Sequence, residues 1–90
     1  MYIHLGGGAI VREQDIIGVF DIEYCSTDKR TREFLSKAAK NGTVIYSTDD
    51  LPKTFIVCAD DDGNQTLYIS GVATSTIKKR AALGVKTLQG

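Results

Sequence analysis

The amino-acid sequence predicts a small α+β domain, mostly antiparallel sheet with two helices, in the order β-β-β-α-β-β-β-α. Three observations lead to this class. Short apolar runs are separated by turn residues, two stretches change to helical spacing, and no regular succession of strands and helices indicates a βαβ crossover. With 90 residues the chain suits one domain, which we assign to residues 1–84, followed by a loosely held tail at 85–90.

The first quarter of the chain predicts three strands. Tyr2–Leu5 is a short β run, Gly6–Gly8 marks a hairpin or bulge, and Ala9–Val11 resumes the strand. A phosphate loop at these glycines is the poorer interpretation, because the Gly-Lys-Ser/Thr ending and a following helix are absent. Residues 15–24 then alternate, which predicts a half-buried strand. Its apolar side would carry Ile16, Gly18, Phe20, Ile22 and Tyr24.

A helix follows this strand. Ser26 or Thr27 can cap it, and Asp28 in its first turn suits the positive end of the helix dipole. Asn41 and Gly42 provide its end. Its narrow apolar stripe suits a helix that covers a sheet or a neighbouring subunit. The stripe consists of Thr31, Phe34, Leu35, Ala38 and Ala39.

The second half of the chain returns to strands. Thr43–Ser47 is one, and Pro52 interrupts the pattern because it lacks the N–H that a central strand position needs. Lys53–Ala59 and Thr66–Ser70 form a predicted hairpin, with the turn signal Asp-Gly between them.

The last predicted element is a short helix. Thr74 or Ser75 caps it, Ile77 and Ala81 form its apolar side, and it fades at Gly84. Three consecutive cations lie on the opposite side: Lys78, Lys79 and Arg80.

Charge is segregated along the chain, although the formal net charge is zero. Residues 1–25 carry a net −3, 26–48 a net +3, 49–73 a net −4 and 74–90 a net +4. Both basic blocks coincide with the predicted helices. Such a surface can steer a polyanion or hold neighbouring subunits together. The alternative to nucleic-acid binding is that the helix cations only keep the surface soluble. Aromatic residues for base stacking are not interleaved with them.

Metal and catalytic sites are not predicted. Cys25 and Cys58 lack the close spacing of thiolate ligand pairs, and in a reducing compartment both are expected to be small buried hydrophobes. The stretch 60–64 resembles the start of a calcium loop, but Gln65 and Gly71 stand where that loop needs Gly and Glu. With His4 as its one histidine, the chain offers no triad or Cys–His pair. We therefore expect no enzyme and no cofactor.

The expected compartment is the cytoplasm. The N-terminus lacks the basic and long apolar regions of a signal peptide, and no apolar run is long enough to span a membrane. A chain of this length buries only about 60–65% of its unfolded surface, so oligomerisation is a physically motivated expectation.

Four segments together resemble the RemA/RemB family of bacterial extracellular-matrix (biofilm) regulators, and its RemB branch in particular. They are Met1–Gly6, Asp15–Asp21, Pro52–Val57 and Ser75–Arg80, in order and over nearly the whole chain. The resemblance implies a domain related to the LytTR type of DNA-binding fold that assembles into closed rings. In the RemA branch the ring binds promoter DNA and activates matrix genes.

The loop before Lys53–Ala59 departs from the family pattern. In the RemA branch an arginine pair in this loop carries DNA binding, whereas here the loop holds Lys53 alone, beside Asp49 and Asp50. Carboxylates repel phosphate, so the loop loses attraction and gains repulsion. The predicted nucleic-acid contacts are therefore the helix cations Lys78, Lys79 and Arg80, with Lys53 secondary.

The sequence thus predicts a ring-forming, DNA-binding transcriptional regulator of extracellular-matrix or biofilm genes. Its expected partners are duplex DNA and further copies of itself, with no membrane and no small-molecule substrate. The alternative is an oligomeric scaffold or protein-binding regulator without DNA affinity.

Overall fold

The computed structural model describes residues 1–25, 27–48 and 51–84. Six strands are present: β1 (Tyr2–Gly6), β2 (Ala9–Arg12), β3 (Ile16–Asp21), β4 (Thr43–Tyr46), β5 (Thr54–Ala59) and β6 (Gln65–Ser70). The α-helices are α1 (Ile22–Cys25), α2 (Lys29–Asn41) and α3 (Thr74–Gly84), and a 3₁₀ turn at Glu13–Asp15 joins β2 to β3. The predicted α+β class is confirmed. The predicted tail, residues 85–90, lies outside the described residues.

The strands form a hairpin, β1–β2, and a four-stranded sheet in the order β3-β5-β6-β4. The sheet is antiparallel except that β4 pairs with β6 in parallel. It follows that β3 and β4, at the two edges, run in the same direction and are joined through α2. The expectation of no βαβ crossover was therefore wrong. Short apolar runs do not reveal the direction of their pairing partners, and the segment between β3 and β4 is long enough to cross the sheet.

Strand β5 lies between two hydrophobic cores, which explains its uninterrupted apolar run. Ile56 and Cys58 face a core shared with β1, β2 and α3, whereas Val57 faces a core shared with α2. A strand covered on both faces has no solvent side and therefore shows no alternation. The sheet thus separates α3 on one face from α2 on the other.

The end of β3 differs from the predicted alternation. The strand stops at Asp21, whose Oδ1 accepts a hydrogen bond from the backbone N–H of Glu23, and Ile22–Cys25 form α1. An irregular register between Ile16 and Gly18 also moves Ile16 to the α3 side, while Phe20 packs on the α2 side. A single aspartate and one bulge thus override a pattern with the right period.

The helix termini agree only partly with the predicted caps. Asp28, rather than Thr27, caps α2 by accepting hydrogen bonds from the N–H groups of Arg30 and Thr31. The alternative cap, Ser26, lies outside the described residues. In α3 the carbonyl of Ala73 accepts the first helical hydrogen bonds, and Thr74 lies inside the helix.

The two predicted glycine turns are confirmed. All three residues of Gly6–Gly8 have positive φ, as does Gly63 in the β5–β6 turn. Asp60 closes the latter turn, because its carboxylate accepts hydrogen bonds from the backbone N–H groups of Asp62 and Asn64. These bonds, chiefly those from Asn64, lower the pKa of Asp60.

Gly7 is expected to be the more sensitive glycine of the first turn. A Cβ on Gly7 (φ +57°) would overlap the carbonyl oxygen of Ser47, whereas a Cβ on Gly8 (φ +82°) meets open space. Gly8→Ala should cost about 1 kcal/mol of unfolding free energy through backbone strain, and Gly7→Ala more than about 2 kcal/mol. Urea unfolding measures both changes. Equal changes would contradict the close packing of this turn on Ser47.

Both thiols are expected to be inert in the folded protein. Cys25 and Cys58 are buried and free, and burial raises the pKa of Cys58 to about 12. In mildly alkaline buffer only about one Cys58 in 10⁴ would be the reactive thiolate. A thiol reagent should therefore modify neither residue rapidly in native buffer and both in guanidinium chloride. Rapid native labelling of Cys58 would mean that β5 is exposed.

Candidate nucleic-acid interface

Helix α3 carries the three cations that the sequence predicted as contacts. Ile77 is fully buried and Ala81 packs against the same core, so this side anchors the helix to β1 of the hairpin and to β3 of the sheet. Because consecutive helical residues are about 100° apart, three in a row spread around the outer side. Lys78, Lys79 and Arg80 are all exposed.

Arg80 is held at one flank of α3. Its Nη1 donates a 2.7 Å hydrogen bond to the carbonyl oxygen of His4 in β1. The guanidinium has five N–H donors, so this bond orients the group and leaves further donors for an anion. The contact joins residues 76 positions apart, which no local sequence pattern could have indicated.

Lys78 lies on the other flank of α3 in an acidic setting. It lines a groove of about 210 Å³ together with Asp21 at the end of β3 and Asp28 at the start of α2. Along the sequence, the segment 74–90 around Lys78 contains no acid. Folding brings carboxylates from two other elements to Lys78, so its attraction for phosphate is reduced.

Lys53 lies at the N-terminal end of α3. Its backbone N–H donates to the carbonyl of Ser70, and its own carbonyl accepts from the N–H of Ile22. It lines a groove of about 310 Å³ with Ser75 and with two acids, Asp21 and Glu23. Asp49 and Asp50, which were predicted to repel phosphate beside Lys53, lie outside the described residues.

The four predicted residues therefore border one face of the molecule. We call this face the α3 surface and define it by Lys53, Lys78, Lys79 and Arg80. Lys53 stands at the start of α3, and the three helix cations follow from the second turn onward. The N–H groups at the start of a helix attract anions. This attraction acts together with the positive charge of Lys53 at the same place.

A buried cluster of hydroxyl groups fixes the N-terminal end of α3. The hydroxyl of Thr54 lies 2.8 Å from that of Thr74 and 2.7 Å from the carbonyl oxygen of Val72. Ser70 donates to the carbonyl of Leu5 and accepts from the N–H of Val72. Sequence reasoning missed this cluster, whose one signal is Ser and Thr at the ends of otherwise apolar strands. It attaches Lys53 and α3 to the same rigid base.

The second basic block lies on the opposite face of the sheet. Helix α2 packs through Leu35 and Ala38 on the second hydrophobic core, the one that contains Val57 and to which α3 does not contribute. Its cations are Lys29, Arg30, Arg32, Lys37 and Lys40, all exposed. The two basic helices thus do not form one continuous surface within a single chain.

Another polar cluster, around Arg12, is balanced internally. The guanidinium makes two hydrogen bonds to the carboxylate of Asp15, at 2.9 and 2.8 Å, and lies 3.4 Å from that of Asp61. The hydrogen bonds to Asp15 raise the pKa of Arg12. This cluster links the start of β3 to the β5–β6 turn. Within the described part of the chain, no group of three or more His, Cys, Asp or Glu could hold a metal ion.

The molecule is thus a small α+β domain with an exposed basic helix on one face. No described helix has the length and apolarity that crossing a bilayer requires. No family model matches the chain. Extracellular matrix regulatory protein B of Bacillus subtilis (strain 168) is 37% identical to it over 81 residues, which cover 90% of each protein. The chain belongs to the family of this protein, which confirms the RemB-type resemblance.

Proposed function

We propose that this protein is a ring-forming, DNA-binding regulator of extracellular-matrix genes that acts in the cytoplasm and is not an enzyme. The regulatory role is supported by the name of its relative, an extracellular matrix regulatory protein. DNA binding is supported chiefly by the α3 surface. Lys53 lies beside the start of α3, and Lys79 and Arg80 add two further cations along the helix. Cations and a helix start are the groups that proteins use to hold phosphates.

Ring formation would compensate for the modest charge of one α3 surface. Two of its four cations share grooves with carboxylates, so a single copy offers little net attraction. Several copies in a closed ring place several such surfaces on one duplex. The later contacts are then intramolecular, and the total affinity exceeds that of any one site.

A second candidate is a scaffold or protein-binding regulator without DNA affinity. The observation that favours it is the mixed charge of the two grooves beside α3. Asp21, Glu23 and Asp28 line them together with Lys53 and Lys78. Mixed charge suits a protein surface of complementary pattern better than a uniform polyanion.

The helix cations provide the main test of DNA binding. Replacing Lys78, Lys79 and Arg80 together by alanine should abolish binding to duplex DNA. The slope of log affinity against log salt should also flatten, by about one unit for each phosphate group that the variant no longer binds. Fluorescence anisotropy of a labelled duplex at several salt concentrations measures both quantities, and light scattering checks that assembly is unchanged.

A matched control removes the same charge from the other face. The triple variant Lys29→Ala, Arg30→Ala and Lys37→Ala lacks three cations of α2, and it should retain most of the affinity. If the α3 triple variant fails to assemble, the double variant Lys79→Ala, Arg80→Ala replaces it. An equal decrease in affinity in the two triple variants would mean that net charge alone drives binding. No binding by the unmodified protein at low salt would favour the scaffold.

Lys53 is expected to contribute less than the helix cations. Lys53→Ala should weaken binding severalfold at most, because Asp21 and Glu23 already reduce its attraction for phosphate. The same anisotropy titration measures the decrease in affinity. If Lys53→Ala abolishes binding while the α3 triple variant keeps it, the loop before β5 is the contact site.

A further inference from the structure

Strand β4 is an unprotected sheet edge. All four of its residues are exposed, including Val44 (40%), Ile45 (38%) and Tyr46 (71%). Among residues 1–25, 27–48 and 51–84, no strand pairs with its outer side. Monomeric proteins protect such edges with lysine, proline or a bulge, and Thr43–Tyr46 has none of these. An apolar strand whose outer edge is unpaired is suited to pairing with another chain.

The opposite edge, β3, is recessed rather than bare. Val19, Phe20 and Asp21 line the groove of about 210 Å³ that also contains Lys78. One wall comes from α1 and α2 and the other from α3, which pack on opposite faces of the sheet. The groove therefore opens along the β3 edge between two layers. A strand with an unpaired outer edge, such as β4, can therefore approach β3 between these two layers.

The charges at the two edges are compatible with a parallel contact. Asp15, which is paired with Arg12, precedes β3, whereas Asp21 ends the strand and Asp28 lies in the groove there. The exposed cation Lys40 stands ahead of β4, at the end of α2. In a parallel contact Lys40 approaches the neutral Arg12–Asp15 pair, and the uncharged Tyr46 approaches Asp21 and Asp28, so no unpaired like charges oppose each other.

Strand direction determines what such a contact builds. Because β3 and β4 run parallel at opposite edges, a parallel contact between β4 of one copy and β3 of the next keeps all strands in one direction. Successive copies are then related by rotation about an axis along the strands. A heterologous contact of this kind closes into a ring when the rotation angle between neighbouring copies is a whole-number fraction of a full turn.

We propose that β4 of one copy pairs in parallel with the β3 edge of the next copy, seating Val44–Tyr46 in the recess beside α1 and α3. The inference rests on the ring assembly proposed above and names the surfaces that form it. Each copy uses both edges once, and neither edge is paired within the described chain.

Lysine substitutions at the two edges test the contact. Ile45→Lys places a charge in the middle of β4, and Ile17→Lys places one at the exposed start of β3. Each should reduce the mass in solution from that of the assembly to the 9.8 kDa of one chain. Ile10→Lys is the matched control, because Ile10 (51% exposed) equals Ile17 (52%) in exposure but lies on the β1–β2 hairpin. It should leave the assembly intact. If Ile45→Lys does not fold, as judged by circular dichroism, Tyr46→Lys serves in its place.

Mixing the two edge variants gives the decisive measurement. The Ile45→Lys chain keeps a normal β3 edge, and the Ile17→Lys chain keeps a normal β4 edge. An equimolar mixture should therefore form a heterodimer of twice the 9.8 kDa chain mass, although each variant alone is a monomer. Size-exclusion chromatography with light scattering resolves these states.

The outcomes separate this inference from the proposed function. If Ile17→Lys assembles normally while Ile45→Lys does not, β4 pairs with β4 and the proposed contact is wrong, although an assembly still exists. If the mixture stays monomeric, the proposed contact is also wrong. A monomeric unmodified protein overturns both the contact and the ring. An assembled protein without DNA affinity overturns only DNA binding.

Discussion

The burial of β5 on both faces is the constraint on which the rest of the structure depends. Ile56 and Val57 are adjacent in sequence, point to opposite sides and are both fully buried, so each face needs its own cover. One face receives α2, and the other receives α3 with the β1–β2 hairpin. Because the covers lie on opposite faces, the two basic helices are separated by the sheet, and only one of them adjoins Lys53.

The hydroxyl cluster extends this constraint to the α3 surface. Thr54 and Ser70 are fully buried at the ends of β5 and β6, where water cannot satisfy them. Their hydrogen bonds to Thr74 and Leu5 attach the start of α3 and the end of β1 to the sheet. Removing one partner would leave a buried polar group unpaired, which costs about 1–3 kcal/mol. The position of α3 is therefore set by buried polar chemistry as much as by Ile77.

What the sequence predicted correctly depends on local causes. The β5 run and the Asp62–Gly63 turn follow from burial and turn preferences that neighbouring residues decide. Helix α2 also ends before Gly42 as predicted, but Gly42 is extended (φ −130°), and glycine is required there because the carbonyl oxygen of Gln65 approaches closely. The errors involve distant partners. Parallel pairing of β4 requires β6, the acids around Lys78 come from β3 and α2, and Arg80 binds β1. The candidate residues are exposed, but their electrostatic setting could not be read from spacing.

Lys78 connects the two proposals. It is one of the α3 cations, yet it lines the recess at the β3 edge with Asp21 and Asp28. A β4 strand seated there would exclude water from this groove and strengthen the attraction of Lys78 for these carboxylates. Lys79 and Arg80 lie farther around the helix, away from that edge, and Arg80 is oriented by β1. Assembly would therefore draw Lys78 into the contact between copies and leave Lys79, Arg80 and Lys53 as the cations that each copy presents. The affinity of one copy for phosphate would then be small, and useful binding would require the repeated surface of the assembly.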